Sequence, residues 1–280
     1  MGRNYRAQLT GVFGYPVDEN PTVVMQQAAF KELGIDWRYL TILVKPSDLA
    51  DAFRGLRAMN FAGINLTVPH KIEALKYVDE QALEVRLIGA TNTVVNQNGR
   101  LIAYNTDGKG FVEGLRMNGV DLKGKRLAIL GAGGASRAIC VECALASAAE
   151  LTLINRSVEK GEKLASLINE KTDCRASFIG WEGAIDVPPC DILINATSIG
   201  LYPDENCPDI NYDSITPEMI VQDVIPNPAD TLFLRRARER GAKTLDGLGM
   251  LVCQGAIGFK LWTGLDAPLD AMKRAIEAEQ

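Results

Sequence analysis

Residues 125–137 read K-R-L-A-I-L-G-A-G-G-A-S-R, and this stretch decides the fold of the region around it. The apolar run 127–130 predicts a buried strand of a parallel sheet, and glycines at 131, 133 and 134 predict a tight turn. A helix is predicted over residues 135–149. A strand, a glycine turn and a helix N-terminus together leave backbone N–H groups that can bind a pyrophosphate. On these residues alone, an ordinary strand-to-helix turn is the alternative interpretation.

The next segments favour the phosphate-binding interpretation. Residues 151–155 predict a second strand and residues 158–169 a second helix. The result is a β-α-β unit of about 30 residues, the length typical of dinucleotide-binding units. We therefore expect a dinucleotide site at the glycine turn.

The composition restricts the classes of protein that need to be considered. With 280 residues, of which 47% are hydrophobic and 23% charged, the chain is typical of a globular protein with two domains. Its net charge of −5 argues against nucleic acid as a partner. No apolar run approaches the ~20 residues of a membrane span, and the first residues lack the pattern of a signal peptide. We expect a cytoplasmic protein without a membrane partner.

The cysteines predict neither disulfides nor a metal site. Six cysteines are scattered along the chain, unlike a disulfide framework. Cys140 and Cys143 form a C-x-x-C inside the predicted helix, and His70 is the only histidine. The pair is therefore expected to be two small residues on a buried helix face, with no metal.

The order of predicted elements indicates two α/β domains. One is expected at residues 1–107 together with 245–280, and the other, which holds the glycine turn, at 108–244. Strands are predicted at 8–14, 37–44, 62–68, 91–96 and 100–104, and near Leu127, Leu151, Ala176, Ile192 and Ile220. Helices are predicted at 21–33, from a cap at Ser47 to residue 59, within 70–77 and 81–87, and at 107–118, 231–240, 248–261 and 267–278. Function is expected in the cleft between the domains.

Four polar clusters outside the glycine turn are candidates for chemistry. They are N-L-T-V-P-H-K at 65–71, G-A-T-N-T at 89–93, N-T-D-G at 105–108, and G-L-G-M-L at 247–251 with Gln254. Each has a structural alternative, because Asn and Asp cap helices and Gly forms turns. For Asp107 in particular, an N-cap role is the alternative interpretation.

Taken together, these clusters resemble the shikimate dehydrogenase family over nearly the whole chain. The motifs also include G-A-G-G-A-S-R at 131–137, N-R-S at 155–157, N-A-T-S-I-G at 195–200 and L-W-T-G at 261–264. The resemblance implies an α/β substrate domain, completed by the C-terminal helices, and a Rossmann-type dinucleotide-binding domain. It also implies interconversion of 3-dehydroshikimate and shikimate, or a close analogue, by hydride transfer with NADP, or with NAD in some members.

The resemblance implies roles for individual residues. Lys71 would transfer the proton and Asp107 would be its partner, which suits a reduction because an ammonium beside a ketone oxygen can protonate the developing alkoxide. His70 is the rival acid–base candidate. The substrate-binding residues would be Asn65, Thr67, Asn92 and Gln254. The cofactor-binding residues would be Gly131, Ala132, Gly133, Gly134, Ala135, Asn155, Arg156, Lys160, Thr197, Val224 and Gly247.

The end of the second strand of the dinucleotide domain indicates the cofactor. An NAD site usually has Asp or Glu there to bind the ribose hydroxyls. This chain has Asn155 and Arg156, with Lys160 one helical turn later. The two cations favour the 2′-phosphate of NADP, although Glu159 opposes this and NAD stays possible.

Two departures from the family pattern concern the substrate carboxylate. The family's serine-x-serine-proline is replaced by a shorter segment, residues 14–21, that lacks both serines and adds Asp18 and Glu19. The segment 223–228 also lacks the family's tyrosine. We expect weak activity on shikimate and better activity on a related cyclic alcohol that lacks this carboxylate or places it differently. A cofactor-binding sensor or partner protein with little turnover is the alternative, but Lys71 and Asp107 argue against it. The chain is expected to be a monomer or homodimer.

Overall fold

The computed structural model describes residues 5–279, which divide into two compact units. The first unit combines the described residues up to Thr106 with Val252–Glu279, and the second is Asp107–Leu251. The domain division expected from the sequence, 1–107 with 245–280 against 108–244, stays a prediction.

A six-stranded mixed sheet forms the first unit. Its strands are β1 (Gln8–Gly14), β2 (Trp37–Leu43), β3 (Gly63–Leu66), β4 (Glu80–Gln81), β5 (Thr93–Gln97) and β6 (Arg100–Tyr104). Its first helices are α1 (Thr22–Glu32), α2 (Leu49–Ala58), α3 (His70–Glu73) and α4 (Leu83–Ile88). The strand order is β2-β1-β3-β5-β6-β4, in which β5 runs antiparallel to both of its neighbours. The predicted hairpin joins β5 to β6, and positive φ angles of 53° at Asn98 and 90° at Gly99 match a two-residue turn.

A parallel six-stranded sheet forms the second unit. Its strands are β7 (Arg126–Leu130), β8 (Glu150–Asn155), β9 (Arg175–Gly180), β11 (Ile192–Asn195), β13 (Ile220–Asp223) and β14 (Lys243–Leu245), while β10 (Ile185–Asp186) pairs separately with β12 (Ile210–Asn211). Its helices are α5 (Thr106–Met117), of which Thr106 belongs to the first unit, α6 (Gly134–Leu145), α7 (Val158–Lys171) and α8 (Leu232–Glu239). The order β14-β13-β11-β7-β8-β9 places β7 between β8 and β11, where the strand order reverses. Ligands bind at the carboxyl ends of the strands at such a switch point.

Two C-terminal helices cover the first sheet. They are α9 (Leu248–Thr263), which belongs to the first unit from Val252 onward, and α10 (Leu269–Glu277). Trp262 Nε1 donates to the carbonyl of Val94 in β5 at 3.0 Å, and α10 packs against α1. The C-terminal helices therefore complete the first unit, as expected, and the α/β fold predicted from the sequence is confirmed.

The structure corrects several details of the predicted elements, and the two-residue strands β4, β10 and β12 were not predicted. Ser47 does not cap a helix, because its hydroxyl donates to Asp48 Oδ1 and α2 begins at Leu49 after a short 3-10 turn. The predicted helix 135–149 ends at Leu145, because Ser147 has a positive φ of 67° and the N–H of Ala148 bonds back to Cys143. Strand β14 was not predicted, because its three residues lack a long apolar run.

No helix within residues 5–279 is long and apolar enough to cross a membrane.

Candidate functional site

The glycine turn has the geometry of an anion-binding site. Gly131 follows β7 with a φ of 106°, and a Cβ there would lie 3.0 Å from the Ala196 carbonyl oxygen. Ser136 Oγ donates to the Gly131 carbonyl at 2.7 Å, which fixes the turn against α6. Gly133 and Gly134 are exposed, and space is open where their side chains would lie. The first N–H groups of α6, which no side chain of the described residues caps, are therefore available to a pyrophosphate.

Ala132 is half-buried in the turn and Ala135 is exposed in the first turn of α6. Both therefore belong to the backbone segment that would contact the phosphates. The fit of this segment supports a dinucleotide.

Two exposed cations follow the carboxyl end of β8. Asn155 ends the strand, and its Nδ2 donates to the Ser157 carbonyl at 2.9 Å, which shapes the turn into α7. Arg156 precedes that turn and Lys160 lies in the first turn of α7, both exposed. Glu159 is exposed in the same helical turn. The two cations together can bind a phosphate, whereas Glu159 reduces the local positive charge.

The remaining predicted cofactor residues lie in loops after β11, β13 and β14. Thr197 is held by Asn195, whose Oδ1 accepts from the Thr197 N–H at 3.1 Å and from its hydroxyl at 2.7 Å. Val224 is half-buried directly after β13. Gly247 follows β14, and a Cβ there would lie 2.4 Å from the Ile225 carbonyl oxygen. Only glycine therefore allows this close approach of the two loops.

Asp223, at the end of β13, is a residue that the sequence did not assign to the site. Its side chain is 0% exposed, and burial raises the pKa of its carboxyl to about 6. Oδ1 accepts from Asn195 Nδ2 at 3.1 Å and from the Ile225 N–H at 3.1 Å. Oδ2 accepts from the Thr231 hydroxyl at 2.7 Å. In the sequence, Asp223 is a single acidic residue at the end of a strand, and nothing in the 223–228 segment reveals these tertiary partners.

In the first unit, Asn65 is part of a buried polar network. Its Oδ1 accepts from the Tyr39 hydroxyl at 2.8 Å. Its Nδ2 donates to the Asn92 carbonyl at 3.0 Å and to Thr93 Oγ1 at 2.9 Å. Because both amide hydrogens are used, Asn65 can offer a ligand only an oxygen lone pair.

Asn92 and Gln254 belong to the same network. Asn92 Nδ2 donates to Thr106 Oγ1 at 3.0 Å, and Asn92 Oδ1 accepts from the Thr106 N–H at 2.7 Å. Thr106 Oγ1 also contacts Gln254 Oε1 at 3.4 Å. Asn92 is 3% exposed and Gln254 is 9% exposed. The structure thus joins three of the four predicted substrate residues through shared hydrogen bonds.

Lys71, Asp107 and His70 differ in their surroundings. Lys71 is half-buried in α3, and its carbonyl accepts from the Thr91 N–H at 2.8 Å. Asp107 is half-buried and is the second residue of α5, so the N-cap interpretation is wrong.

His70 is 1% exposed, and its Nε2 donates to the Val44 carbonyl at 2.8 Å, since a carbonyl can only accept. These contacts argue against His70 as the proton-transfer residue.

The fourth predicted substrate residue, Thr67, lines an open cavity of about 450 Å³ in the first unit. Residues 16–21 form the rest of the lining, including Asp18 and Glu19, which are exposed, and Asn20. Asn20 Oδ1 accepts from the Thr22 N–H at 3.0 Å, so its oxygen serves the start of α1. Among the described residues that line this cavity, none has a cationic side chain.

Comparisons with known proteins match this arrangement. Residues 12–94 match the shikimate dehydrogenase substrate binding domain, and residues 247–277 match the shikimate 5′-dehydrogenase C-terminal domain. The NADP(+) shikimate dehydrogenase of Desulforamulus reducens is 42% identical, with 99% of this chain and 97% of the relative covered. The chain belongs to the shikimate dehydrogenase family. The family predicted from the motifs is therefore confirmed.

Two solved structures of similar chains differ in the substrate that their names give. The ligand-free 5-ketofructose reductase of a Gluconobacter species is 47% identical, with a TM-score of 0.96 over 99% of this chain and 100% of that one. Shikimate 5-dehydrogenase of Listeria monocytogenes, in complex with shikimate and NAD, is 36% identical, with a TM-score of 0.91 over 97% and 96%. Members of this fold thus serve more than one substrate.

No cluster of His, Cys, Asp or Glu that could hold a metal ion occurs among residues 5–279. The absence of a metal cofactor stays a prediction.

Proposed function

We propose that this protein is an NADP-dependent oxidoreductase that interconverts a ketone and a secondary alcohol on a small polyhydroxylated substrate without a carboxylate. The observation that carries the proposal is the cavity beside Thr67, whose charged lining residues are Asp18 and Glu19. Both carboxylates would repel an anionic substrate. The similar 5-ketofructose reductase acts on a ketone of this uncharged class, as its name states.

The proposed chemistry assigns a proton to Lys71 and a hydride to the cofactor. Bound NADPH would supply the hydride to the ketone carbon. Lys71 would protonate the oxygen, and Asp107 would orient the amine. Thr67, Asn92 and Gln254 would bind hydroxyls of the substrate, and Asn65 would accept from one of them through its remaining lone pair.

The buried network supports these roles because it fixes the orientation of the amides. Side chains that are already hydrogen-bonded lose little further freedom on binding, which favours recognition of a defined set of hydroxyls. The network has no cation for a carboxylate among its members Asn65, Asn92, Thr93, Thr106 and Gln254.

The cofactor is proposed to be NADP, with NAD as the second candidate. The exposed Arg156 and Lys160 follow the end of β8 and would bind the 2′-phosphate as a planar fork and a point charge. Relatives carry either cofactor in their names, NADP(+) in Desulforamulus reducens and NAD in the Listeria monocytogenes complex. The sensor alternative has no support, because these relatives are named as dehydrogenases and reductases.

Steady-state kinetics with NADPH and with NADP tests the substrate class. The panel is 5-ketofructose, 3-dehydroshikimate, shikimate, quinate and uncharged cyclic diols. We expect kcat/KM for the best uncharged substrate to exceed that for shikimate by about 100-fold or more, because two or more charged hydrogen bonds are missing. A KM for shikimate in the low-micromolar range would contradict the proposal. A chain that turns over no member of the panel would favour the sensor alternative.

A further inference from the structure

Asp223 is connected to three of the predicted cofactor residues, although its own side chain is fully buried. We propose that Asp223 is a positioning residue that holds the loops 196–199 and 224–226 in the conformation that binds the dinucleotide. The proposal rests on the cofactor assignment made above, and it concerns how the cofactor site is held in shape.

The first connection leads to the glycine turn. Asp223 Oδ1 accepts from Asn195 Nδ2, and Asn195 Oδ1 accepts both the N–H and the hydroxyl of Thr197. The Cγ2 of Thr197 lies 3.1 Å from where a Cβ of Gly131 would be. A change in the Asn195 amide would therefore move Thr197 against the phosphate-binding turn.

The second connection leads to the loop after β13. The Ile225 N–H donates to Asp223 Oδ1, and the backbone of residues 224–225 packs directly on Gly247. The Val224 N–H bonds to the Asn195 carbonyl at 3.1 Å. The carboxylate thus fixes one loop directly and the other through Asn195.

The third connection fixes the far end of the same loop. Asp223 Oδ2 accepts from the Thr231 hydroxyl, and that hydroxyl accepts from the Leu234 N–H at 3.3 Å as the N-cap of α8. Both ends of the segment between β13 and α8 are therefore held by a single carboxyl group.

Stability alone gives a weak reason for this arrangement. A buried carboxylate has lost its hydration, and buried polar groups can often be replaced by apolar ones at little cost in stability. Burial raises the pKa of Asp223, which shows that desolvation outweighs the hydrogen bonds it accepts. An apolar residue at position 223 could not orient both loops, because its side chain would accept no hydrogen bonds from them.

The test uses Asp223→Asn and Thr231→Val, with Thr231→Ser as the conservative variant. Asp186→Asn is the matched control, because Asp186 also accepts from an asparagine, Asn211 Nδ2 at 2.7 Å, but it lies in the short strand β10. Calorimetric titration gives the Kd of NADP, and kinetics at saturating cofactor give the KM of the best substrate. We expect the Kd to rise about 10-fold in Asp223→Asn, which corresponds to the loss of one charged hydrogen bond. In Thr231→Val we expect a rise of about threefold, which corresponds to the loss of part of one. Thr231→Ser and Asp186→Asn should match the parent chain, and the substrate KM should stay within about twofold.

Amide hydrogen exchange of the cofactor-free protein gives a second readout. In Asp223→Asn, exchange should become faster in both 196–199 and 224–226, and Asp186→Asn should leave both loops unchanged. An unchanged Kd together with unchanged exchange in a folded Asp223→Asn variant would overturn the proposal. Should Asp223→Asn not fold, equal Kd values for Thr231→Val and Thr231→Ser would overturn it. If the parent chain binds no NADP, the cofactor assignment fails, and the exchange data still decide whether Asp223 holds the loops.

Discussion

Each unit has a buried polar network beneath its predicted binding residues, and the two networks differ in charge. In the first unit, the hydrogen-bonded side chains of Asn65, Asn92 and Thr106 are neutral amides and hydroxyls. In the second unit, Asp223 places a carboxyl at the centre of the network. A neutral network keeps its hydrogen bonds at any ordinary pH. A network built on a carboxyl with a pKa of about 6 changes its protonation close to neutrality.

The largest expected effect concerns the amine of Lys71, which lies in the same unit as the neutral network. Lys71→Ala should lower kcat by about 100-fold or more, the usual contribution of general acid–base catalysis. The substrate KM should change much less, because the amides and hydroxyls of the network remain. Steady-state kinetics with the best substrate measures both parameters. Lys76→Ala is the matched control, since Lys76 is exposed and pairs with Glu73 at 2.9 Å.

One result would contradict the role of Lys71 and favour His70, the rival acid–base candidate. If Lys71→Ala kept near-normal turnover while His70→Ala lost it, proton transfer would belong to His70. The hydrogen bond from His70 to Val44 makes this result unexpected. Loss of His70 should act mainly on stability, by leaving the Val44 carbonyl without this donor.

The second prediction concerns the charged network. The folded-state pKa of Asp223 is about 6, raised by burial from the ordinary aspartate value of 3.8. Its contribution to stability is therefore fully present below the unfolded pKa and is lost as pH rises through the folded one. The unfolding free energy of the parent chain, minus that of Asp223→Asn, should fall by roughly 2–3 kcal/mol between about pH 4 and pH 7. Urea unfolding at several pH values measures this difference.

The same difference should be flat above about pH 7, where the carboxyl is ionised in both states. The groups that face it are Asn195, Thr231 and the phenol of Tyr212, whose own pKa is raised well above this range mainly by burial. A difference that is constant from pH 4 to 7 would show that Asp223 has an ordinary pKa.

The third prediction is the counterpart in the neutral network. Thr106→Val should lower the unfolding free energy by about 1–3 kcal/mol, because buried partners on Asn92 and Gln254 lose their hydroxyl. The loss should be the same at pH 5 and pH 8, since no member of this network titrates between them. Thr106→Ser, which keeps the hydroxyl, is the control. A pH-dependent loss would mean that a charged group joins the network.

Sequence patterns predicted the centre of the second sheet well and missed one of its edges. Residues 127–130 are continuously apolar because their strand is covered on both faces, and the glycines after them are required by backbone approach. Such features are visible in a single chain. Strand β14 was missed, because a three-residue edge strand depends on pairing with β13 and has no distinct pattern of its own.

The candidate site shows the same limit. Lys71 and Arg156 can be predicted as site residues because motif position and charge are visible in a single chain. The role proposed for Asp223 could not be predicted, because it depends on burial and on partners at Asn195 and Thr231 that are not adjacent in sequence. The shared hydrogen bonds of Asn92 and Thr106 likewise depend on the tertiary fold.

The fourth prediction moves from the buried networks to an exposed group. Arg156→Ala should raise the Kd of NADP by about 10-fold and leave that of NAD within about twofold, because only NADP carries the 2′-phosphate. Calorimetric titration of both oxidised cofactors at one ionic strength measures this. Arg175→Ala is the control, since Arg175 is exposed at the start of β9, and the carboxyl end of β8 is at the other end of the sheet. Tighter NAD binding that Arg156→Ala does not alter would assign the site to NAD.

The smallest expected effect concerns the exposed acids of the substrate cavity. Asp18→Asn combined with Glu19→Gln should lower the KM for shikimate by about threefold to 10-fold, since solvent-exposed charges act weakly across water. The KM for an uncharged polyhydroxylated ketone should change by less than about twofold, because this substrate carries no charge for the two carboxylates to repel. Raising the salt from about 50 to 500 mM should reproduce part of the gain in the parent chain and none in the double variant. Asp48→Asn, at an exposed acid beside α2 of the same unit, is the control for a general change in net charge. If Asp48→Asn lowers the KM for shikimate equally, the effect comes from the net charge of the whole surface. If neither change alters this KM, Asp18 and Glu19 do not contribute to substrate selection.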